Sequence, residues 1–558
     1  MQNTKRLFIP TLFALLITIS ISCLGQPLNG NKVLTLQDTL RGTIGPERAW
    51  WDVLHYTVEV TPDYAAKSIQ GKTKIDYKVL NGQQTDYMQI DLQQPLMIDT
   101  IFYDNKLYIN YPAKPYKQDG NVWHIPLPRA KPESEHSITI AYHGVPREAK
   151  HAPWDGGWIF TKDANGRPWM TVACQGLGAS VWYACKDHQS DEPDRGAQLI
   201  VHVPDSLVAV GNGKLLNRSA ANGWASFTWE VKNPINSYNL IPYIGKYTNF
   251  SESFAGEKGN LNMSYWVLDY NLDKAKAQFK QAPTTIKAFE HWFGPYPWYE
   301  DDFKLVEAPH LGMEHQSAVA YGNKYQNGYL GRDLSGTGVG LKWDYIIVHE
   351  VGHEWFGNNI TTKDIADMWV HEGFTCYAET LFIDYTFGKD DGNKYLQGQR
   401  RNISNDIPVI GKYGVNQEGS GDMYFKGANL LHTIRQIIND DEKFRSILRG
   451  LNKDFYHQTV TSAQVEKYIS EKSGYDLSKV FDQYLRNTSI PVLEYKTEGG
   501  KTYARWSNSI ANFSMPVRLG ESGNVVITPS TQWTEIRVPA GTPLEQPNKN
   551  WFVGIKKA

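Results

Sequence analysis

The stretch YIIVHEVGHEWFG, residues 345–357, decides how the central part of this chain folds. Its apolar residues recur at three- and four-residue spacing, which predicts a helix. Inside it, His349, Glu350 and His353 form an HExxH motif. Residues four apart share one face of a helix, so both imidazoles can converge on one metal ion. Glu350, beside the first histidine, can then reach a metal-bound water as general base.

A catalytic zinc site needs a third protein ligand and one open coordination position. Glu372 is the candidate, because it lies 19 residues beyond His353 on the next predicted helix, WVHEGF. Turn residues at 357–359 let that helix fold back towards the motif. His349, His353 and Glu372 together form a two-histidine, one-glutamate set that suits zinc.

The apolar residues around the motif predict that this site is buried, and buried histidine and glutamate side chains need partners. A metal ion provides a partner for three of them at once. His371 is expected on a different face of the second helix, where it would not be a ligand. Cys376 is four residues beyond Glu372, and we expect it to pack near the site.

The hydrophobic periodicity changes twice along the chain. From about residue 50 to residue 250, short runs of period two such as HYTVEV (55–60) and SITIAY (137–142) predict an antiparallel β saddle or sandwich. Helical spacing then dominates, as in residues 274–293, 368–387 and 426–438. Alternation returns after Pro491, with a hairpin signal at Gly499-Gly500. The predicted fold class is therefore multidomain α+β.

We predict four segments: a signal peptide (1–25), an N-terminal β domain (26–250), a mainly helical zinc-binding domain (251–489) and a small C-terminal β-sandwich domain (490–558). The 558 residues are 41% hydrophobic and 21% charged, which rules out general disorder. The formal net charge is −2. A net charge this close to zero does not favour electrostatic binding to nucleic acid or to a polyanionic membrane surface.

The first 25 residues predict export. Lys5 and Arg6 precede a fifteen-residue apolar run, 7–21, and then small residues, which is typical of a signal peptide cleaved after Gly25. The run is too short to span a bilayer comfortably. An uncleaved anchor and a lipoprotein acylated at Cys23 are the alternatives. The prediction is a periplasmic, cell-envelope or secreted protein with no membrane span in the mature chain.

The mature chain would keep three cysteines, Cys174, Cys185 and Cys376. They allow at most one disulfide, for which Cys174 and Cys185 are the candidate pair. The favoured alternative is that all three are buried thiols.

The segment HEVGHEWFGN, with the glutamate of WVHEGF, closely resembles the aminopeptidase N family of zinc metallopeptidases. This family belongs to the gluzincins and includes leukotriene hydrolase. LGMEHQS (311–317) resembles the family's GxMEN motif, and GDMYFKGANLL (421–431) contains its Tyr-x-Lys-Gly pattern. ACQG (173–176) and WYACKDH (182–188) resemble its N-terminal domain. The resemblance implies a thermolysin-like catalytic domain with one Zn²⁺ per chain.

The resemblance also implies roles for individual residues. Glu314 would bind the free α-ammonium group of the substrate, and Gln175 would help to hold it. Tyr424 would hydrogen-bond the oxyanion of the tetrahedral intermediate. Gly312 and Met313 would offer backbone groups to the peptide.

Two departures from the family pattern affect these roles. His315 stands where the family has Asn, and Leu311 replaces the first Gly of the motif, so the geometry of the amine pocket is open. The chain also resembles a short form without the C-terminal helical domain of larger relatives, which predicts a more open site.

The predicted function is a monomeric zinc aminopeptidase that removes the first residue from peptides with a free N-terminus. A zinc-activated water would attack the first peptide carbonyl, with Glu350 as general base. The alternatives are a zinc endopeptidase or an epoxide hydrolase on the same scaffold, or a non-catalytic exported zinc-binding protein. Glu350 and Tyr424 argue against the last, because closed structural zinc sites use four protein ligands and lack a general base.

Overall fold

A computed structural model describes residues 33–82, 84–108, 116–519, 525–539, 544 and 548–558 of the chain. The predicted signal peptide and Cys23 lie outside these residues. Within the described ranges, no helix combines the length and the apolar character that crossing a membrane requires.

The N-terminal part is built from β-strands, as the alternating sequence predicts. Two short helices, α1 (Leu36–Gly42) and α2 (Pro46–Ala49), precede them. The strands in chain order are β1 (Trp51–Asp63), β2 (Ser68–Val79), β3 (Tyr87–Asp91), β4 (Met97–Tyr103), β5 (Lys106–Leu107), β6 (Lys117–Asp119), β7 (Val122–Pro126), β8 (Glu135–Gly144), β9 (Gly157–Lys162), β10 (Pro168–Ala173), β11 (Ala197–Pro204), β12 (Val208–Val210), β13 (Lys214–Ala221), β14 (Trp224–Val231) and β15 (Tyr243–Gly245).

These strands form three sheets. The largest has the order β13-β14-β11-β1-β2-β8-β4-β5, and the smaller ones are β12-β15-β10-β9 and β3-β7-β6. Pairing is antiparallel except between β1 and β11. Along β1, Val58 and Val60 are fully buried while Thr57 and Glu59, which alternate with them, are half-buried, because successive side chains point to opposite faces of a sheet.

A buried ion pair anchors the loop that follows β10, which carries Gln175. The Arg48 guanidinium is fully buried and pairs with Asp91. The backbone N–H of Asp187 donates to Asp91 Oδ2 at 3.0 Å, and Ser180 N donates to Asp187 Oδ2 at 3.1 Å. These bonds tie the segment just beyond the loop to the start of the domain.

The central part contains a five-stranded sheet and a group of helices. Its elements are β16 (Tyr247–Gly256), β17 (Gly259–Leu268), α3 (Leu272–Gln278), α4 (Gln281–Phe293), β18 (Phe303–Glu307), β19 (Gly312–Met313), β20 (Val319–Tyr321), α5 (Tyr345–Gly352), β21 (Ile360–Thr362), α6 (Trp369–Phe387), α7 (Lys389–Gln399), α8 (Phe425–Ile438), α9 (Asp441–Asp454), β22 (Gln458–Val460), α10 (Ser462–Ser473) and α11 (Ser478–Leu485).

The sheet order β16-β17-β18-β20-β19 leaves β19 at the edge that faces the metal-binding helices. The domain boundary predicted after residue 250 falls inside β16, which pairs with β17 of this sheet. The single helix predicted over residues 274–293 is divided into α3 and α4, with a turn at 279–280. The helix predicted from residue 345 ends at Gly352, and residues 353–356 form turns and a bridge.

The C-terminal strands are β23 (Val492–Glu498), β24 (Lys501–Ser507), β25 (Val517–Leu519), β26 (Val525–Ile527), β27 (Thr534–Ile536) and β28 (Gly554–Lys557). They form the sheets β27-β24-β23-β28 and β25-β26. Glu498 pairs with Lys501 across the predicted Gly499-Gly500 hairpin. Trp506 and Trp551 join the apolar core of the helices, so this sheet packs directly against the central part.

The multidomain α+β fold predicted from the sequence is confirmed by this arrangement and by the structural matches given below. Cys174, Cys185 and Cys376 are all buried free thiols. The structure thus has the favoured arrangement of three thiols, and the alternative disulfide between Cys174 and Cys185 is absent.

The Arg48–Asp91 pair gives a stability prediction. The Arg48→Ala variant should lower the free energy of unfolding by about 3–5 kcal/mol, because it leaves the Asp91 carboxylate buried without its cation. Urea denaturation followed by fluorescence measures this loss. The exposed Arg129–Asp86 pair provides the control, since Arg129→Ala should cost at most about 1 kcal/mol. Equal losses would contradict the anchoring role of Arg48.

Candidate metal centre

The three predicted metal ligands converge at one buried point between α5 and α6. Glu372 Oε2 lies 3.5 Å from His349 Nε2 and 3.4 Å from His353 Nε2. One ligand atom from each of the three residues lies within 4.8 Å of the other two, and all three side chains are buried. The spacing read from the sequence is therefore matched by the geometry.

Local sequence explains how the two helices present these side chains. Asp344 caps the start of α5, and its carboxylate accepts the backbone N–H of Ile346. Helix α6 can approach α8 closely because glycines meet at the crossing. A Cβ on Gly373 would lie 3.2 Å from the Cα of Gly427. This close approach sets Glu372, the residue before Gly373, beside the start of α8.

Hydrogen bonds at the far side of each imidazole fix its orientation. His349 Nδ1 lies 2.7 Å from Glu379 Oε1, and His353 Nδ1 lies 3.0 Å from the carbonyl oxygen of Phe356. Both partners accept, which favours a proton on Nδ1 of each ring, and Nε2 of each ring faces the site.

Glu379, which contacts the candidate ligand His349, was missed by the sequence analysis. It is fully buried, and its second oxygen accepts bonds from Tyr395 Oη at 2.7 Å and Gln399 Nε2 at 3.0 Å. Glu379 lies seven residues after Glu372, about two helical turns further along α6, and this spacing was the signal available in the sequence.

His371 and Cys376, which lie near Glu372 in the sequence, contact other residues. His371 Nε2 accepts the N–H of Thr362 at 2.9 Å, and Cys376 lies beside Gln399.

The residues present fit a zinc ion. Glu372 Oε2 is buried and has no hydrogen-bond partner of normal geometry among the described residues. Burial opposes its ionisation, but His353 and His349 hold the pKa of the Glu372 carboxyl below its usual range. Two imidazole nitrogens and one carboxylate oxygen are a donor set that zinc prefers. A cation at this point would give the buried Glu372 oxygen the close partner that it lacks.

The edge strand β19 passes directly over Glu350. A Cβ on Gly312 would lie 2.6 Å from Glu350 Oε1 and 2.9 Å from the Ile346 side chain, so a glycine is needed for this approach. Burial raises the pKa of Glu350 to about 7. A carboxyl group with such a pKa can both accept and release a proton near neutrality.

Glu314 lies just beyond the edge strand and is 3% exposed. Its Oε1 accepts hydrogen bonds from Gln175 Nε2 at 2.5 Å and from Tyr238 Oη at 2.9 Å. Burial raises the pKa of Glu314. One carboxylate oxygen each from Glu314 and Glu350 lies within 4.8 Å of a His353 ring nitrogen. The structure thus brings Gln175 and Glu314, from distant parts of the sequence, to the metal centre.

His315 replaces the asparagine of the family motif and is fully buried. Its Nδ1 lies 2.6 Å from the Tyr243 hydroxyl, which donates to the carbonyl of Ala318 at 2.7 Å. His315 therefore contacts the β15 side of the strand, and it does not line the cavity at the metal centre.

All nine predicted site residues line one cavity of about 100 Å³. Tyr424 immediately precedes α8, and its ring centre lies 6.1 Å from that of His349. Five further lining residues carry no motif and were missed from the sequence: Pro153, Trp154, Met368, Glu418 and Met423.

Comparisons with known proteins identify a family and several relatives. A model of the Peptidase family M1 domain matches residues 277–484. The chain is 24% identical over 333 residues to leukotriene A-4 hydrolase of Xenopus laevis, covering 56% of this chain and 51% of that protein. It is 21% identical over 476 residues to the alanine/arginine aminopeptidase of Saccharomyces cerevisiae, covering 80% and 53%. The chain thus spans about half the length of these relatives.

Solved structures share the fold. The M1 zinc metallopeptidase of Deinococcus radiodurans, solved as a mutant bound to a Tyr-Ser-Ala substrate, matches with a TM-score of 0.66 and 19% identity. The match covers 80% of this chain and 96% of that one. A two-domain M1 zinc metallopeptidase bound to L-arginine matches with a TM-score of 0.64, 20% identity, and coverage of 79% and 95%.

The contact between Glu379 and His349 predicts an effect on metal affinity. Glu379→Gln should weaken zinc binding by about 10- to 100-fold, because the outer partner sets the orientation and basicity of the imidazole. Competition with a chromophoric chelator measures the dissociation constant. Tyr395→Phe, which removes one donor to Glu379 but leaves its contact with His349, should have a smaller effect. Unchanged zinc affinity in Glu379→Gln would contradict the orienting role.

Proposed function

Residues 277–484 belong to peptidase family M1, and from this premise we propose that the protein is a zinc-dependent aminopeptidase. It would hydrolyse the first peptide bond of peptides with a free N-terminus. One observation carries the proposal: the buried Glu314 carboxylate lies beside the metal centre, in the same cavity as Glu350.

A buried carboxylate at this place favours an exopeptidase. Gln175 and Tyr238 donate to one oxygen of Glu314, but neither of them carries a positive charge. A substrate α-ammonium group supplies that charge and forms a charge-assisted hydrogen bond. An internal peptide bond offers no cation at this position, so an endopeptidase substrate would leave Glu314 without one. The carboxylate therefore acts as a reference point that places the first peptide bond at Glu350.

The residues of the site divide the chemistry among them. His349, His353 and Glu372 would hold the zinc ion, which when bound lowers the pKa of water and polarises the substrate carbonyl. Glu350 removes a proton from the attacking water and then delivers it to the leaving amine.

Tyr424 and the edge strand act on the peptide itself. The Tyr424 hydroxyl donates a hydrogen bond to the oxygen that becomes negatively charged. The backbone groups of Gly312 and Met313 hold the peptide as an added strand beside β19.

The proposal includes the segments predicted from the sequence. These are an N-terminal β domain (26–250), a thermolysin-like catalytic domain (251–489) and a small β domain (490–558). It also includes export by a signal peptide over residues 1–25, with attachment through Cys23 as the alternative, and a monomeric enzyme whose partners are peptides.

Loss of the general base tests the mechanism. Glu350→Gln should reduce kcat for aminoacyl anilides by about 10²- to 10⁴-fold, the range expected for a positioned proton-transfer group. Zinc content, measured by atomic absorption, should stay at the parent level because Glu350 is not one of the three converging ligands. Removing the metal from the parent protein with a chelator should abolish hydrolysis, and added zinc should restore it. Parent activity in zinc-loaded Glu350→Gln would refute the scheme.

Glu314 gives a test of exopeptidase specificity. Glu314→Ala should lower kcat/KM for free-amine peptides by about 10- to 100-fold, as expected for the loss of a hydrogen bond between charged groups. N-acetylated peptides, which lack the ammonium group, should be cleaved poorly by the parent and little affected by the substitution. Gln175→Ala should cause a smaller loss, since it removes only a neutral donor to Glu314. An equal proportional loss on free and acetylated peptides would remove the proposed role.

A further inference from the structure

A second and larger cavity of about 560 Å³ adjoins the metal centre. Trp154 lines both cavities. The second cavity is lined on one side by Pro309, His310 and Leu311, the residues that lead into the edge strand β19. It therefore continues the cleft along the same strand, on the side away from Glu314.

The order of residues along this strand sets the direction of a bound peptide. Glu314, which takes the ammonium group in the proposed function, follows β19, and Gly312 within β19 lies against Glu350. A peptide whose amine is at Glu314 and whose first carbonyl is at Glu350 must run on towards residue 311 and then residue 309. Strand residues advance by about 3.3 Å each. The residues after the scissile bond thus enter the second cavity.

Three exposed lysines, Lys162, Lys274 and Lys324, line this second cavity. None of their ammonium groups forms an ion pair with a carboxylate in the part of the chain that the structure describes. Lys274 Nζ instead donates to Asn271 Oδ1 at 3.2 Å. Lys162 and Lys324 therefore present positive charge to the cavity without a carboxylate partner among the described residues.

The acidic residues that line the same cavity already have partners. Asp163 forms an ion pair with Arg167 at 2.7 Å. Glu307 is buried and accepts the N–H of Leu268 at 2.8 Å and Asn271 Nδ2 at 2.7 Å. Burial also raises the pKa of Glu307. Lys274 interacts electrostatically with Glu307. Neither carboxylate forms an ion pair with Lys162 or Lys324 among the described residues, so these two lysines make the cavity favourable to an anion.

His310 adds an unpaired polar group to the cavity wall. It is 6% exposed, and neither ring nitrogen has a hydrogen-bond partner of normal geometry among the described residues. Burial lowers the pKa of His310 to about 4, so the ring is neutral at pH 7. A neutral imidazole offers one donor and one acceptor, which matches the needs of a peptide backbone.

On the basis of the aminopeptidase function above, we propose that this second cavity binds the part of the substrate beyond the scissile bond. Lys162, Lys274 and Lys324 would select short peptides by binding their free C-terminal carboxylate. The substrate class would be oligopeptides of a few residues, in which both charged ends are recognised. Glu314 would bind the amine, and the lysines would attract the carboxylate.

The test compares di-, tri-, tetra- and penta-alanine as free acids and as C-terminal amides. For at least one length, the parent enzyme should prefer the acid over the amide in kcat/KM by about two- to fivefold, given the strength of exposed ion pairs. The preference should fall when salt is raised from about 0.05 M to about 0.5 M, because salt screens exposed charges.

Charge-neutral variants then locate the preference. The triple variant Lys162→Gln, Lys274→Gln and Lys324→Gln should lose the preference for the acid. Its kcat/KM for peptide amides and for alanine anilide, which has no carboxylate, should be unchanged. The matched control is the triple variant Lys106→Gln, Lys131→Gln and Lys287→Gln. It removes the same charge from exposed lysines that do not line this cavity, and it should retain the parent preference.

The outcomes separate the two proposals. An absence of alanine anilide hydrolysis by the zinc-loaded parent would refute the aminopeptidase function itself. Hydrolysis of the anilide with equal rates on acids and amides at every length would overturn the carboxylate proposal alone. A preference that survives in the cavity variant, or disappears equally in the control variant, would also overturn it, because the selectivity would then come from elsewhere or from overall charge.

Discussion

The whole arrangement depends on one buried carboxylate, that of Glu372, which lies between two histidine nitrogens at 3.4 and 3.5 Å. An ionised carboxylate in a protein interior is costly unless a cation or hydrogen-bond donors surround it. Its placement requires α5 and α6 to cross at the metal centre, and the contact of Gly373 with Gly427 allows α8 to pack against the same residues. The helical core is thus built around a buried negative charge that a bound cation would balance.

The need to pair buried polar groups also applies to the residues that surround the metal ligands. Because His349 must present Nε2 to the site, its Nδ1 needs an acceptor, and Glu379 provides one at 2.7 Å. Glu379 in turn needs donors, which Tyr395 and Gln399 supply. Each buried polar atom thus fixes the next, so the position of α7, which carries Tyr395 and Gln399, is tied to the orientation of one imidazole ring.

The parts of the site that were predictable are those encoded by local spacing. Helical periodicity predicts that His349, His353 and Glu372 converge. The same periodicity, followed for two turns beyond Glu372, would also have identified Glu379. Gln175 was reached only through the family resemblance, because it is 139 residues from Glu314. Trp154, Met368, Glu418 and Met423 lie outside the α-helices and strands, where no hydrophobic periodicity indicates which residues line a cavity. Similarly, β16 alternates like the strands before it, so its sequence does not show which sheet it joins.

The proposed amine pocket around Glu314 is shared between the N-terminal β part and the central part. Asn239 donates to Asn358 Oδ1 at 2.7 Å, and Asn358 Nδ2 donates to the backbone oxygen of Glu314 at 2.8 Å. Gln175 contacts the side chain of the same glutamate. The two nearest donors to the Glu314 carboxylate, Gln175 and Tyr238, both come from the N-terminal part, whereas the metal ligands come from the helices. In the proposed function, the hydrolytic chemistry would therefore depend on one part of the chain, and the recognition of a free amine would need the packing of both.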